Sequence, residues 1–301
     1  MSKQQRDIYQ EVTDTIVASL EKAGQWERPW SNLTNDTFNP RSIDGRPYRG
    51  GNVLLLWVAA EIGGYETGIW GTYKAWASKG AQVRKGEKGT LVTLWKPIER
   101  TARDGEKTNK NGKADTLLLR SYFVFNAAQV DGWEPEAVDT SNAPTPIEAA
   151  EAFFGAIDSD VSYQGNLAYY TPALDKIVVP KLEAFKAAES FYATLAHEHG
   201  HWTGHESRLA RDFKNRFGTE AYAFEELVAE LTAAFVGAHL GIGSEIREDH
   251  ASYLKNWLKV LKADKKAIFT AASQAQKAAD FLIAAAEGES SDSPEAELVS
   301  A

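Results

Sequence analysis

The sequence predicts a two-domain α+β chain. Three observations carry that reading: the length, a lopsided distribution of charge and tryptophan, and a linker-like run near the middle. A length of 301 residues suits two ordinary domains better than one. With 43% hydrophobic and 25% charged residues the chain is globular rather than disordered or fibrous. Its net charge of −9 is spread unevenly. Residues 1–135 hold 19 basic and 16 acidic side chains, a net of +3, whereas residues 136–301 hold 14 and 26, a net of −12. Residues 41–120 alone carry 15 basic against 8 acidic side chains, and seven of the nine tryptophans precede residue 135. Halves so different suggest different partners, with the first as the candidate polyanion binder.

In chain order, the first domain (1–135) opens with a helix from about Arg6 to Ala23, where Ile8, Val12, Ile16 and Leu20 recur at helical spacing before Gly24. A turn-rich stretch from Pro29 to Gly51 leads to a short buried run, Val53 to Ala60. Trp70 to Ser78 reads as a helix closed by Gly80. Thr90 to Lys96 and Leu118 to Phe125 read as strands joined by a polar loop, Glu99 to Asp115. Residues 136–146 have a linker's composition. The second domain (147–287) begins with a helix over Ile147–Ile157, continues with paired strands in Leu167–Val179, and ends in helices near 181–204, 220–239 and 246–285, the last long enough to be broken. The acidic tail, 288–301, has the composition of a disordered segment.

Cysteine is absent, which excludes disulfides, thiolate-bound zinc and thiol catalysis and suits a reducing compartment. The polar N-terminus lacks the apolar core of a secretory signal, and Val53–Ala60 is too short to cross a bilayer. The expectation is a cytoplasmic protein with no membrane partner.

The sharpest chemical signal is His197-Glu198-His199-Gly200-His201, which satisfies HExxH. On a helix, residues four apart share a face, so His197 and His201 can hold one ion. Glu198 lies beside them as general base, because zinc lowers the pKa of a water it binds to about 7. Four of the six histidines fall between 197 and 205, far from a chance scatter. His199 points to another face and is read as structural. A catalytic zinc site takes three protein ligands and keeps a position open. His205 is one candidate, but the extended pattern HExxHxxGxxH needs histidine at 207, where Ser207 stands. The other candidates lie on the following helix, in Glu225-Glu226-Leu227-Val228-Ala229-Glu230. Glu226 is the first choice, with Glu225 and Glu230 behind it. Glu226 and Glu230 share a face, so one can bind while the other orients a ligating histidine. Glu230 and His205 are the residues expected directly behind the ligands.

The segment Thr194–His205 with Ser207-Arg208-Leu209 and Glu225–Leu231 closely resembles the ArdC-type antirestriction proteins of conjugative plasmids. Asn39-Pro40, Gly45-Arg46-Pro47-Tyr48-Arg49-Gly50, Trp70 with Thr72-Tyr73-Lys74, Gly80–Gly89 and Phe125-Asn126 resemble that family's N-terminal domain. The resemblance spans about residues 6–285. It implies a single-stranded-DNA-binding α+β domain joined to a mainly helical, gluzincin-like metallopeptidase domain with a small antiparallel sheet. It also implies glutamate as third ligand, which supports Glu226, and an antirestriction role, with a peptide or protein substrate as the rival. His₂Glu suits Zn²⁺ and tolerates Mn²⁺.

Single-strand binders combine a basic groove with aromatic platforms. Residues 46–49 set Arg46 and Arg49 around Tyr48, and residues 84–89 present Arg84, Lys85 and Lys88 in a glycine turn ahead of Lys96. Trp70, Tyr73 and Trp76 would follow one another at three-residue spacing on a single helix. The absence of a paired Cys/His finger or basic zipper predicts binding that depends little on base sequence.

Overall fold

The structure is a computed structural model. It describes residues 7–22, 39–101, 109–111, 113–134, 145–211, 220–242 and 251–288. The run 136–144 and the tail beyond Gly288 lie outside these residues, as does most of the turn-rich stretch before Asn39.

Helix α1 (Ile8–Lys22) is followed by the two-residue strand β1 (Arg41–Ser42) and by α2 (Gly51–Gly63). The buried run 53–60 is therefore a helix. It is buried along nearly its whole length, from Gly51 to Val58 and at Ala60, because it lies between a sheet and the C-terminal helices. Gly64 closes it in the left-handed region at φ 61°.

The helix expected from Trp70 divides in two. Ile69–Thr72 is strand β2, its Trp70–Thr72 paired with the later segment Val124–Asn126, and the helix α3 starts at Tyr73 (Tyr73–Ser78). Thr72 makes the break by capping α3, its Oγ1 accepting from the Ala75 amide at 3.1 Å. After β3 (Gln82–Val83), two long strands form one antiparallel ribbon, β4 (Thr90–Thr101) and β5 (Lys113–Asn126), in continuous register from Thr90↔Val124 to Thr101↔Lys113. Pairing thus runs well into the segment read as a loop. The main sheet has the order β1-β2-β5-β4, and β3 pairs separately with β6 (Val130–Asp131). At the β4 edge, the Asn52 amide takes a strand's place: Oδ1 accepts from the Thr93 amide at 2.8 Å and Nδ2 donates to the Thr93 carbonyl at 2.7 Å.

The C-terminal half begins at Thr145, which caps α4 (Pro146–Ala156) in a capping box with Glu148. The strands β7 (Asp160–Tyr163), β8 (Tyr169–Thr171) and β9 (Lys176–Val179) form a sheet of order β7-β9-β8. Only β8–β9 is antiparallel. The strand β7, which lacks a strong β-former run, pairs parallel to β9 and makes the sheet mixed rather than antiparallel. Helices α5 (Ala188–Trp202) and α6 (Glu220–Leu240) follow, and the expected last helix is broken into α7 (Ala251–Ala263) and α8 (Ala267–Glu287).

One hydrophobic core runs through both halves. Val12 and Ile16 of α1 and Leu54 and Trp57 of α2 belong to the same buried cluster as Phe235 of α6, Leu261 of α7 and Ile268 and Ala272 of α8. Polar contacts reinforce the joint: the Thr13 hydroxyl donates to the Lys265 carbonyl at 2.9 Å, the Gly50 amide donates to Gln276 Oε1 at 3.0 Å, and Arg49 pairs with Asp280. Among the described residues no helix is long and apolar enough to cross a membrane.

Candidate metal centre

The HExxH residues lie in the last turns of α5, whose preceding residues Phe191, Tyr192, Leu195 and Ala196 are buried in the core. His197 and His201 stand one turn apart with ring centroids 4.9 Å from each other. Their partner helix α6 passes very close, and Gly200 is the reason. A Cβ at Gly200 would lie 3.0 Å from the Cα of Ala229 and 3.2 Å from its carbonyl oxygen. Ala229 is one turn after Glu226, so this contact sets the carboxylate against the two imidazoles.

Glu226 Oε2 lies 3.5 Å from His197 Nε2, and Glu226 Oε1 lies 3.4 Å from His201 Nε2. Behind the rings, His197 Nδ1 faces Glu230 Oε2 at 3.4 Å and His201 Nδ1 faces Glu225 Oε1 at 3.3 Å. Carboxylates on the Nδ1 side hold protons there and leave both Nε2 lone pairs converging on one point. One ligand atom each from His197, His201 and Glu226 fall within 4.8 Å of one another. Ligands about 2.1 Å from a tetrahedral ion stand about 3.4 Å apart, which is the observed imidazole–carboxylate spacing. Two neutral nitrogens and one carboxylate oxygen are also the donor set of a divalent ion such as zinc or manganese. The site fits an ion.

Charge around the site is tightly held. Burial alone would lower His201, but the Glu225 and Glu226 carboxylates raise it to about 10, so an ion binds there only by displacing a proton from Nε2. Burial would likewise raise Glu226 and Glu225, yet both sit below the usual carboxylate range. Glu226 is held there by His197 and His201, and Glu225 by His201 and Arg211. Glu198 is buried beside the ligands, 3% exposed.

Arg211 is the residue that no motif pointed to. It grips Glu225 through Nε to Oε2 at 3.0 Å and Nη2 to Oε1 at 2.8 Å. The same guanidinium donates to the Thr203 hydroxyl at 2.9 Å and to the Gly200 carbonyl, tying the end of α5 to α6. Its neighbour Arg208 pairs with Asp175 and lies 3.9 Å over the Trp202 ring, fastening the same turn to the β8–β9 connection. A lone arginine in a polar stretch carries no sequence signature of such a role.

His199 is structural, as its helix face implied. Its Nδ1–H donates to the Leu195 carbonyl at 2.8 Å, which leaves Nε2 to accept from the Ser159 hydroxyl at 3.0 Å. Burial pushes it down to about 4, so the ring is neutral. Glu230 stands on the Nδ1 side of His197. His205 does not: its Nδ1 pairs with the Ser207 hydroxyl at 2.8 Å in the turn after α5, outside the ligand cluster, and Glu225 fills the position behind His201.

The residues read as DNA contacts divide sharply. Trp70 and Trp76 are each 0% exposed, and the Trp76 indole donates to the Phe125 carbonyl at 3.0 Å. Neither has a ring face to offer a base, which corrects that expectation; both are core. Tyr48 is half-buried against the core, and burial pushes its hydroxyl up to about 12. Arg49 is engaged by Asp280, and Arg84 by Glu87, Asp131 and the Ala128 carbonyl. Arg46, Lys85, Lys88 and Lys96 are exposed, and Tyr73 is the exposed member of its trio at 53%.

Gly200→Ala will unfold more easily than wild type by about 1–3 kcal/mol in a denaturant titration, since its two nearest neighbours are backbone atoms of Ala229 that cannot step aside. This outweighs the gain of about 1 kcal/mol in helix propensity. A variant as stable as wild type would show that the helices can part without cost.

A buried HExxH helix crossed by a helix that supplies glutamate defines a zincin-like metal centre, here sharing a core with an α+β half that presents exposed cations. The comparisons agree on both parts. The profile of the zincin-like metallopeptidases matches residues 148–274, and that of the N-terminal domain of anti-restriction factor ArdC matches residues 6–125. The chain is 42% identical over 280 residues to the uncharacterized protein y4eC of Sinorhizobium fredii, covering 92% of this chain and 91% of that one. It is 36% identical over 300 residues to the DNA primase TraC of Escherichia coli, covering 94% of this chain but only 28% of the primase. Crystal structures of the antirestriction ArdC protein of plasmid R388 superpose with TM-scores of 0.78 (metal-free, 38% identity, 95% of this chain and all of that one) and 0.76 (Mn(II)-bound, 40% identity, 93% and 98%). The chain belongs to the family of ArdC antirestriction proteins.

Proposed function

We propose that this chain binds single-stranded plasmid DNA entering a bacterial cell, largely without sequence preference, and protects it from restriction in the cytoplasm. The observation that carries the reading is the likeness to the R388 antirestriction protein over that protein's whole length. His197, His201 and Glu226 would hold Zn²⁺ or Mn²⁺, a choice supported by the donor set and by the Mn(II)-bound relative. Such an ion supplies Lewis acidity. In that setting Glu198 would be the general base, and Glu230 and Glu225 would fix the imidazole tautomers. The HExxH set also favours a second reading, a metallopeptidase acting on a host protein with the DNA-binding half serving to place it.

One substitution separates the two. Glu198→Gln keeps the ligands and removes the base. Restriction of a conjugated plasmid in recipient cells will be blocked as well by the metal-replete variant as by wild type if DNA binding protects. Loss of protection with metal content retained would transfer the function to hydrolysis. A wild-type protein that gives no protection would refute the antirestriction reading itself.

A further inference from the structure

The β4–β5 ribbon has two faces of opposite chemistry, and the register assigns every position. Side chains alternate along a strand, and directly paired residues share a face. One face carries Val92, Leu94, Lys96, Ile98 and Arg100 of β4 opposite Tyr122, Arg120, Leu118, Thr116 and Ala114 of β5. It holds three cations and no acid. The ribbon's acidic positions, Glu99 and Asp115, pair with each other on the opposite face, where Glu99 also meets Lys113 at 3.3 Å. The face concentrates the basic excess of residues 41–120, which hold 15 basic against 8 acidic side chains.

Among the described residues, that face is covered only at its root. Val92 and Val124 are packed beneath Leu56, Ala60 and Trp70. Beyond them Lys96 and Arg120 are exposed, and Tyr122 and Leu118 are each 38% exposed although apolar surface at a sheet is ordinarily covered. Cations alternating with an aromatic and aliphatic groups match one polymer, a strand whose phosphates seek charge and whose unpaired bases seek a flat apolar surface. A duplex offers the phosphates without the base faces. An acidic protein segment would answer the cations and leave Tyr122 and Leu118 unused.

We propose that this ribbon face, with Tyr122 as the stacking platform and Lys96 and Arg120 as the phosphate contacts, is a single-stranded-DNA-binding surface of the protein. The inference rests on the DNA-binding reading above. It moves the aromatic contact from the buried Trp70 and Trp76 to a ring that a base can reach.

The test is fluorescence anisotropy of the full chain with a labelled oligothymidylate. Tyr122→Ala will weaken binding roughly five- to 150-fold, the range for loss of one stacked base, while Tyr122→Phe, which keeps the ring, will bind nearly as wild type. Lys96→Ala with Arg120→Ala will flatten the slope of log K against log salt by about 1.4, or about 0.7 per lost phosphate contact. Lys113→Ala on the opposite face will change neither reading. Wild-type binding that survives Tyr122→Ala and the double substitution, or that Lys113→Ala weakens equally, overturns the ribbon assignment alone. Equal affinity for a blunt duplex overturns the stacking role, and binding of an oligoglutamate in its place overturns the choice of polymer. A wild-type protein that does not bind oligothymidylate overturns the DNA-binding reading and this surface with it.

Discussion

Replacing His197 and His201 together by alanine will abolish divalent-ion binding, measured as about one equivalent per chain in the wild type by elemental analysis after dialysis. Each imidazole contributes an Nε2 aimed at Glu226, so the double variant keeps a single carboxylate, which cannot hold an ion against water. The same loss leaves Glu226 and Glu230 buried without their imidazole partners, so melting will be tested beside metal content. Glu226→Gln, which keeps the shape of the side chain, separates the effects: the fold persists and affinity falls steeply. His205→Ala will leave affinity unchanged. Retention of the ion by the double-histidine variant, or a larger loss with His205→Ala than with Glu226→Gln, would disprove the ligand assignment.

Arg211→Met will cost about 3–5 kcal/mol in stability, because it strands the Glu225 carboxylate in a protein interior where its partner was 7% exposed. Metal affinity will fall about 10- to 100-fold, the usual cost of loosening the group behind a ligating imidazole. Adding Glu225→Gln to Arg211→Met removes the buried charge and will restore much of the stability without restoring affinity, because the second substitution takes the anionic partner from His201. Calorimetric titration with Mn²⁺ alongside denaturant melts distinguishes the two outcomes. Unchanged affinity in Arg211→Met would reduce the arginine to a loop fastener.

The juxtaposition of the candidate ligands was largely legible in the sequence because its geometry is local. Four-residue spacing on one helix dictates that His197 and His201 share a face, and Glu226 sits in the next helical run. Residues whose role depends on tertiary approach left no such trace. Arg211 acts through a carboxylate 14 positions away, and Gly200 matters only because α6 passes within contact distance. His205 misled because nearness in sequence to the motif does not survive the turn after α5, where the chain folds back and Ser207 takes the ring. In the N-terminal half, the three-residue aromatic spacing suggested one helix, but Thr72 begins that helix after Trp70 has joined the sheet. Burial then decided which aromatic rings are core, a property that composition cannot encode. Strand β7 was missed for a related reason: four residues of mixed polarity become a strand only when β9 lies alongside.

The continuous core joining α1 and α2 to α6, α7 and α8 has an evolutionary consequence. A recombination event that moved either half alone would deliver a protein with Val12, Ile16, Leu54 and Trp57, or their counterparts Phe235, Leu261 and Ile268, facing solvent, and burial of each such side chain is worth roughly 1.5–3 kcal/mol. Splitting the pair is therefore penalised by aggregation before any loss of activity is felt. The block of 300 residues that the chain shares with a primase more than three times its length contains both halves together.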